Sequence, residues 1–170
     1  PEDSPAPKPN EIALLKLWID AGAKGPTGAA PDPTLLVTPR IKTRAPVRPA
    51  VNAVAYAPDG KLVAIAGYQT VQLVDPNSGL VARKLSRHAG SVTSVSFSAD
   101  GKILVAAAGG PGLFGEVKLW NPADGRLLRT IRGHRDSLYA AELSRDGKLL
   151  ATAGYDKDIL LWDARTGKQL

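Results

Sequence analysis

The stretch GHRDSLYAAELSRDGKLLATAGYDKDILLWDARTGKQL, residues 133–170, decides the fold of this chain. Short apolar runs in it are separated by turn signals such as Asp146-Gly147 and Thr166-Gly167. Glycine accepts the positive φ of a tight turn, and aspartate side chains bond to the backbone of such turns. The stretch therefore predicts an antiparallel meander of four short strands.

The same pattern occurs twice more upstream, so the chain carries three copies of one repeat. The Asp-Gly signal stands at Asp59, Asp100 and Asp146 and so recurs about every 40–45 residues, the period of a β-propeller blade. We therefore predict an all-β fold, a partial β-propeller of about three four-stranded antiparallel blades. The predicted blades are residues 50–86, 87–132 and 133–170.

One run in each copy is apolar on both faces and rich in alanine. These runs are residues 62–66, 103–108 and 149–153. Small apolar residues suit a strand that neighbouring sheets cover on both sides. We therefore predict that these runs form inner strands.

The third copy contains four short motifs in order, Gly133-His134, Asp146-Gly147, Tyr155-Asp156-Lys157 and Trp162-Asp163. With these motifs the chain from Pro46 onward resembles the tryptophan-aspartate (WD) repeat family of β-propellers. The resemblance implies a buried, hydrogen-bonded tetrad of His134, Thr152, Asp156 and Trp162. An indole N–H or an imidazole is costly to bury unpaired, and the threonine and the aspartate would supply the partners.

The first two copies depart from this pattern. The second has His88 and Trp120, but alanines where the threonine should stand and no aspartate before its third strand. The first has Val74-Asp75 and no histidine. We therefore expect these two blades to be held by apolar packing alone.

The amino-terminal part has a different pattern. Residues 10–22 show apolar residues at helical spacing between Asn10, a candidate N-cap, and Gly22 at the C′ position. The string EIALLKLWIDAGA is similar to the closing helix of a planctomycete-type bacterial c-type cytochrome domain. We assign residues 1–24 to a remnant of that domain and 25–49 to a Pro/Gly-rich linker. Within the linker, residues 35–37 and 40–43 have strand character and predict either a closing strand or a solvated segment.

The cytochrome resemblance carries expectations about cofactor and location. It implies a haem c bound by a Cys-x-x-Cys-His motif upstream, and covalent haem of this type implies a periplasmic or other extracytoplasmic compartment. This sequence has no Cys and no Met, so we expect no cofactor within it. Because it also begins at Pro1, we interpret it as a fragment, with the remaining blades beyond Leu170.

Composition excludes several function classes. Without cysteine there is no disulfide, thiolate metal site or cysteine nucleophile. The net charge of +6 is spread along the chain, so we expect no nucleic-acid partner. The sequence has no run of 18 apolar residues, so we expect no membrane span.

Two features of the sequence are candidates for ligand or metal binding. Residues 110–115 match G-x-G-x-x-G, but residues 116–120 have strand character where a dinucleotide site needs a helix. We interpret the motif as an enlarged hairpin loop. His88 and His134 precede first strands at equivalent repeat positions, which favours a structural role over metal ligation. The repeat aspartates lie in turns or at strand ends, so we predict no enzymatic site.

The enlarged loop also predicts a partner surface. Loops before the first strand and between the second and third strands lie at one end of a meander, so aromatic and basic residues should gather there. The alternative is that Phe114 folds back onto its own blade. The candidate partner-binding residues are Leu113, Phe114, Tyr68, Tyr155, Arg135 and Lys157.

Basic residues also gather near the fourth strands, where they either prevent edge pairing or attract an acidic partner. These residues are Arg83, Lys84, Arg87, Arg129, Arg132 and Arg135.

These observations favour a non-catalytic propeller that binds protein partners as a scaffold within a larger cytochrome–WD-repeat protein. One alternative is an electron-transfer haem protein in which this piece only positions the haem. A less favoured alternative is an enzyme with its site in the propeller channel, which would need titratable residues on the innermost strands.

Overall fold

The computed structural model describes residues 8–22 and 49–170. The chain divides into two compact units, Pro1–Pro46 and Val47–Leu170. The closing-strand segments 35–37 and 40–43 lie outside the described residues. The described elements are α1 (Pro9–Asp20), β1 (Ala53–Tyr56), β2 (Val63–Ala66), β3 (Val71–Val74), β4 (Val81–Leu85), β5 (Ser91–Phe97), β6 (Leu104–Gly110), β7 (Phe114–Trp120), β8 (Leu127–His134), β9 (Leu138–Leu143), β10 (Leu149–Gly154) and β11 (Ile159–Asp163).

The first unit contributes α1. It starts at Pro9, one residue earlier than predicted, because proline suits the first helical position, where no N–H bond is needed. Lys8 is therefore the N-cap instead of Asn10, and its backbone N–H donates to the Glu11 carboxylate at 2.8 Å. The helix ends before Gly22, whose φ is 86°. None of the described helix residues is buried.

The second unit consists of three antiparallel sheets, which we call blade 1 (β1–β4), blade 2 (β5–β8) and blade 3 (β9–β11). Blades 1 and 2 have four strands, and in both the spatial order follows the chain. Blade 3 has three strands, and a bridge between Trp162 and Gln169 continues its pairing beyond β11. The predicted boundary at residue 133 falls inside β8, which extends to His134.

The predicted Asp-Gly turns form the hairpins between first and second strands. In blade 2 the Asp100 carboxylate accepts the Lys102 N–H at 3.1 Å and the Ser98 hydroxyl at 2.7 Å. Blade 3 repeats the second bond, from Ser144 to Asp146 at 2.6 Å. These side-chain bonds stabilise the reversal locally, which is why short signals predict it.

The predicted inner strands each lie between two neighbouring strands of their sheet. The alanine-rich runs form β2, β6 and β10, which are second in each sheet. The first strands pack on one another across both blade interfaces, β1 on β5 and β5 on β9, and so lie innermost, while β2 also packs against β5 and β6 against β9. The second strands are still well covered, and six of the seven residues of β6 are buried. A strand with a sheet neighbour on each edge and another blade on its faces also requires small apolar residues.

Two apolar clusters hold the blades together. One lies between blades 1 and 2 and contains Leu73, Val92 and Leu104. The other lies between blades 2 and 3 and contains Val117 and Leu150. Each blade thus buries its face against the next, as expected of a repeat protein.

Within the described ranges, no helix is long and apolar enough to cross a bilayer.

Candidate functional site

The structure brings the four predicted tetrad residues of blade 3 together. His134 lies before β9, and its Nδ1 is 2.9 Å from Asp156 Oδ1 in the loop after β10. The Nε2 atom lies 2.7 Å from Thr152 Oγ1, which also accepts the Trp162 indole N–H at 2.9 Å. The carboxylate assigns the ring proton to Nδ1, so that Nε2 accepts from the threonine hydroxyl. The chain of bonds therefore joins the end of β8, in blade 2, to β10, its following loop and β11, in blade 3.

The tetrad geometry depends on two glycines. A Cβ on Gly133 would lie 2.3 Å from Cη2 of Trp162, and a Cβ on Gly154 would lie 2.7 Å from Oδ1 of Asp156. Burial raises the pKa of Asp156, but bonds from His134 and from the Arg135 N–H lower it further, so the net shift is downward. Asp156 therefore stays ionised, and both of its carboxylate oxygens accept hydrogen bonds.

Blade 2 contains a polar network that the sequence analysis missed. Glu116 on β7 has a fully buried side chain and accepts bonds from Lys118 and Arg132. It also accepts the Ala89 N–H at 3.1 Å, just as Asp156 accepts the Arg135 N–H at 2.9 Å in blade 3. The expectation that blade 2 is held by apolar packing alone is therefore wrong. Glu116, on β7, accepts the backbone N–H that a loop aspartate accepts in blade 3.

The other half of the tetrad is incomplete in blade 2. Trp120 pairs with Leu104 as Trp162 pairs with Leu150, so Ala106 stands where Thr152 stands in blade 3. Both ring nitrogens of His88 and the indole nitrogen of Trp120 are buried without a hydrogen-bond partner. Burial and the nearby Lys118 charge lower the pKa of His88 to about 4. The ring is therefore neutral at physiological pH.

One end of the blades carries a groove of about 480 Å³. It is formed by the loops between second and third strands and by the starts of β5 and β9, as the meander topology predicts. Its walls are largely apolar, with tyrosines from blades 1 and 3. We call it the aromatic groove, and its lining includes Tyr68, Ser91, Thr93, Pro111, Ser137 and Tyr155.

The predicted partner residues are distributed unequally around this groove. Tyr68 and Tyr155 line it, and Leu113 beside it is 74% exposed. Phe114 is half-buried and lies under the Arg132 guanidinium, 5.6 Å from its ring centre, so it packs on its own blade. Tyr139, which the sequence analysis did not single out, stacks on Tyr155 at 3.8 Å.

The two basic candidates flank Tyr155 in the same region. Arg135 lies 3.6 Å from Asp158 in an exposed ion pair. Lys157 adopts a φ of 71° in the loop after β10. Both residues are solvent-exposed and outside the lining of the aromatic groove.

The glycine motif at residues 110–115 spans the last residue of β6, a loop of residues 111–113 and the first two residues of β7. The prediction of an enlarged hairpin loop was therefore wrong, because the extra residues lengthen β6 and β7 instead. Gly112 has a φ of 68°, and its N–H donates to Asp136 at 2.8 Å. A Cβ on Gly115 would lie 2.5 Å from the Asp136 carbonyl oxygen. The glycines thus serve the turn and the close approach of blade 3.

Among the described residues no group of three or more His, Cys, Asp or Glu side chains could hold a metal ion.

Comparison with known proteins fits this geometry. Residues 79–121 and 125–163 match the family model described as WD domain, G-beta repeat. These two segments of the chain are similar to WD40 repeats. Each matched segment spans the fourth strand of one blade and the first three strands of the next, so a WD40 repeat joins two neighbouring blades.

A crystal structure of the RRP9 WD40 repeats is similar in fold, with a TM-score of 0.66 at 18% sequence identity. The similarity covers 74% of this chain and 39% of that chain, so this chain spans about two fifths of its length. It supports the propeller architecture of the WD40 blades. No curated protein matches the sequence.

Proposed function

We propose that the WD40 blades form a non-catalytic platform for a protein partner and that the aromatic groove is its binding surface. The observation that supports this proposal is the exposure of tyrosine and leucine side chains around a preformed apolar groove. Tyr68 is 66% exposed, Tyr155 53% and Leu113 74%. Large exposed apolar side chains around a groove are typical of protein interfaces.

The groove is better suited to binding a peptide or loop of a partner than to catalysing a reaction. It is about 480 Å³ in volume, which accommodates a few side chains. Rigid tyrosine rings supply contact area at low cost in conformational entropy. Its side-chain hydroxyls are already engaged in part, since Thr93 donates to the Leu138 carbonyl at 2.6 Å. Binding would therefore depend on shape and apolar contact.

The test is partner capture from an extract of the source cells by matched variants. Leu113→Ser combined with Tyr68→Ala removes groove side chains and should reduce capture strongly. Leu80→Ser is the control, because Leu80 is 70% exposed but lies in the β3–β4 turn at the opposite end of its blade. Equal capture by both variants, at unchanged melting temperatures, would rule out the groove as the binding surface.

An enzyme site in the channel is the less favoured proposal. The first strands, which lie innermost, include one carboxylate among their described residues, Glu142 on β9. General acid–base chemistry usually needs a second titratable group at hydrogen-bond range. We therefore propose a role in binding without catalysis.

We further propose that α1 belongs to a c-type cytochrome domain and that the whole protein is extracytoplasmic. The support is the resemblance of the helix sequence, together with the exposure of Leu14, Leu15 and Leu17 on it. Such residues suit a helix that docks on a partner surface. The haem would be bound outside this sequence, since it has no Cys or Met. Electron transfer would then belong to that domain, with the blades positioning it.

The coding sequence upstream tests this second proposal. A Cys-x-x-Cys-His motif preceded by an export signal is the expected finding. An upstream sequence without that motif would overturn the cytochrome proposal and leave the aromatic groove proposal intact.

A further inference from the structure

A second groove runs along the outer edges of blades 1 and 2. It consists of two adjoining cavities of about 350 and 520 Å³, which share Arg87 and Leu127 as lining residues. We call it the edge groove. Lys84 lines one cavity, and Thr130 and Arg132 line the other. The aromatic groove has a different set of lining residues, so the two surfaces are separate.

The edge groove carries unopposed positive charge. Among the described residues, Arg83, Lys84 and Arg87 form no ion pair. Glu116, on β7 of blade 2, is fully buried and already bound by Lys118 and Arg132. Asp124 precedes the lining residue Gly125, and its carboxylate accepts the Arg126 N–H at 2.8 Å. Of the cationic residues that line the groove, Lys118 and Arg132 are paired with Glu116, whereas Lys84 and Arg87 have no ion-pair partner among the described residues.

Arg87 is held there at a conformational cost. Its φ is 73°, a left-handed value that is unfavourable for a residue with a Cβ. The equivalent residue of blade 3 is Gly133, which has no positive φ and whose missing Cβ leaves room for the Trp162 ring. Edge protection alone does not require such strain, because Arg83 and Lys84 are already exposed on β4. A strained residue in a groove indicates a functional constraint.

We propose that the edge groove binds an acidic peptide segment of a partner protein, with Lys84 and Arg87 as the cationic contacts. The charge of the groove is complementary to carboxylates, and Leu127 provides an apolar wall for the peptide between them. Single-stranded nucleic acid would need exposed aromatic faces for base stacking. The aromatic residue of this groove, Trp120, is only 5% exposed. The structure therefore favours an acidic peptide over a nucleic acid.

Fluorescence anisotropy with the 170-residue chain tests this proposal. The probe is a labelled short peptide in which Glu alternates with Ser, and its control replaces every Glu by Gln. Lys84→Glu combined with Arg87→Glu should weaken binding of the Glu peptide by at least about tenfold. The matched variant is Lys61→Glu combined with Lys168→Glu, which makes the same change in net charge at exposed positions outside the groove.

A second variant separates binding from folding. Arg87→Gly relieves the positive φ, so the chain should melt at a higher temperature and still bind the Glu peptide several-fold more weakly. Equal losses of affinity in the two charge-reversed variants would overturn the proposal, since only net charge would then matter. Failure of the wild-type chain to prefer the Glu peptide would also overturn it. Tighter binding of a single-stranded oligonucleotide, lost in the groove variant, would assign the groove to nucleic acid instead.

Discussion

Blades 2 and 3 both bury a histidine before the first strand and a tryptophan on the third, but they differ in how these side chains are bonded. In blade 3, Thr152 bonds to both rings and Asp156 bonds to the imidazole. In blade 2 neither ring has a hydrogen-bond partner. The carboxylate is present in blade 2 as Glu116, but it binds cations and a backbone N–H instead of the imidazole.

This difference shows that one fold tolerates two distributions of polar bonding. Both blades have a carboxylate that accepts the backbone N–H of the residue after the histidine. This bond joins the segment before the first strand to the third strand or to the loop before it. The aromatic pair of blade 2 is retained by packing, with the His88 and Trp120 rings 5.6 Å apart. The two networks therefore respond differently to substitution and pH.

The largest expected effect is on Glu116. Glu116→Ala leaves Lys118 buried without its counter-ion, because the lysine side chain is only 6% exposed. Removing one partner of such a pair should lower the free energy of unfolding by about 3–5 kcal/mol. Urea denaturation measures this, with Glu142→Ala as the control at an exposed carboxylate. A loss no larger than that of the control would mean that apolar packing does hold blade 2.

The second effect is a pH dependence specific to blade 2. The pKa of His88 is about 4 in the folded chain, below its ordinary value of 6.5. As pH falls through 6.5 the unfolded chain takes up a proton that the folded chain does not, so stability decreases until pH reaches about 4. The shift corresponds to about 3 kcal/mol between pH 7 and pH 4.

His88→Gln isolates this term, since carboxylates also protonate near the lower end of the range. The decrease in unfolding free energy between pH 6.5 and pH 4 should be smaller in the variant than in the wild-type chain. Parallel pH profiles would show that His88 is not the buried neutral base that the structure indicates.

Asp156→Ala in blade 3 ranks third. It removes the acceptor for His134 Nδ1 and for the Arg135 N–H, and the unsatisfied donors should cost about 1–3 kcal/mol of unfolding free energy. Asp158→Ala is the matched control, because Asp158 lies two residues away in an exposed pair with Arg135. A change in Asp156→Ala within the error of the control would place Asp156 among ordinary surface turn residues.

The smallest expected effect comes from a substitution that gives blade 2 a polar group that blade 3 has. Ala106→Ser supplies a hydroxyl in the position of Thr152, next to the unpaired His88 and Trp120 nitrogens. We expect the free energy of unfolding to rise by about 0.5–1.5 kcal/mol. Ala108→Ser on the same strand is the control, because Ala108 is also buried but does not stand in the position of Thr152. Destabilisation by both variants would show that the register equivalence of the two blades does not extend to side-chain geometry.

The aromatic groove illustrates a limit on prediction from local sequence. Leu113 and Phe114 are adjacent, and the sequence left open whether both are exposed or Phe114 folds back onto its own blade. The structure separates them. Phe114 is the first residue of β7, and its ring packs under Arg132 of β8, whereas Leu113 stays in the loop. Which of two neighbours is exposed depends on where strand pairing begins, and that is decided across strands.

The sequence by itself determined the repeat, the hairpin turns and the blade 3 tetrad. Turn signals act over three or four residues, so the turns can be read along the chain, whereas the tetrad was implied by the resemblance to the WD-repeat family. Only the tertiary structure decided which strand lies innermost and that Glu116 replaces the missing aspartate. Strand order follows from how blades pack, and Glu116 meets Ala89 only because sheet pairing brings residues 27 positions apart into contact. Such contacts leave no local pattern, since they depend on register and burial in the folded chain.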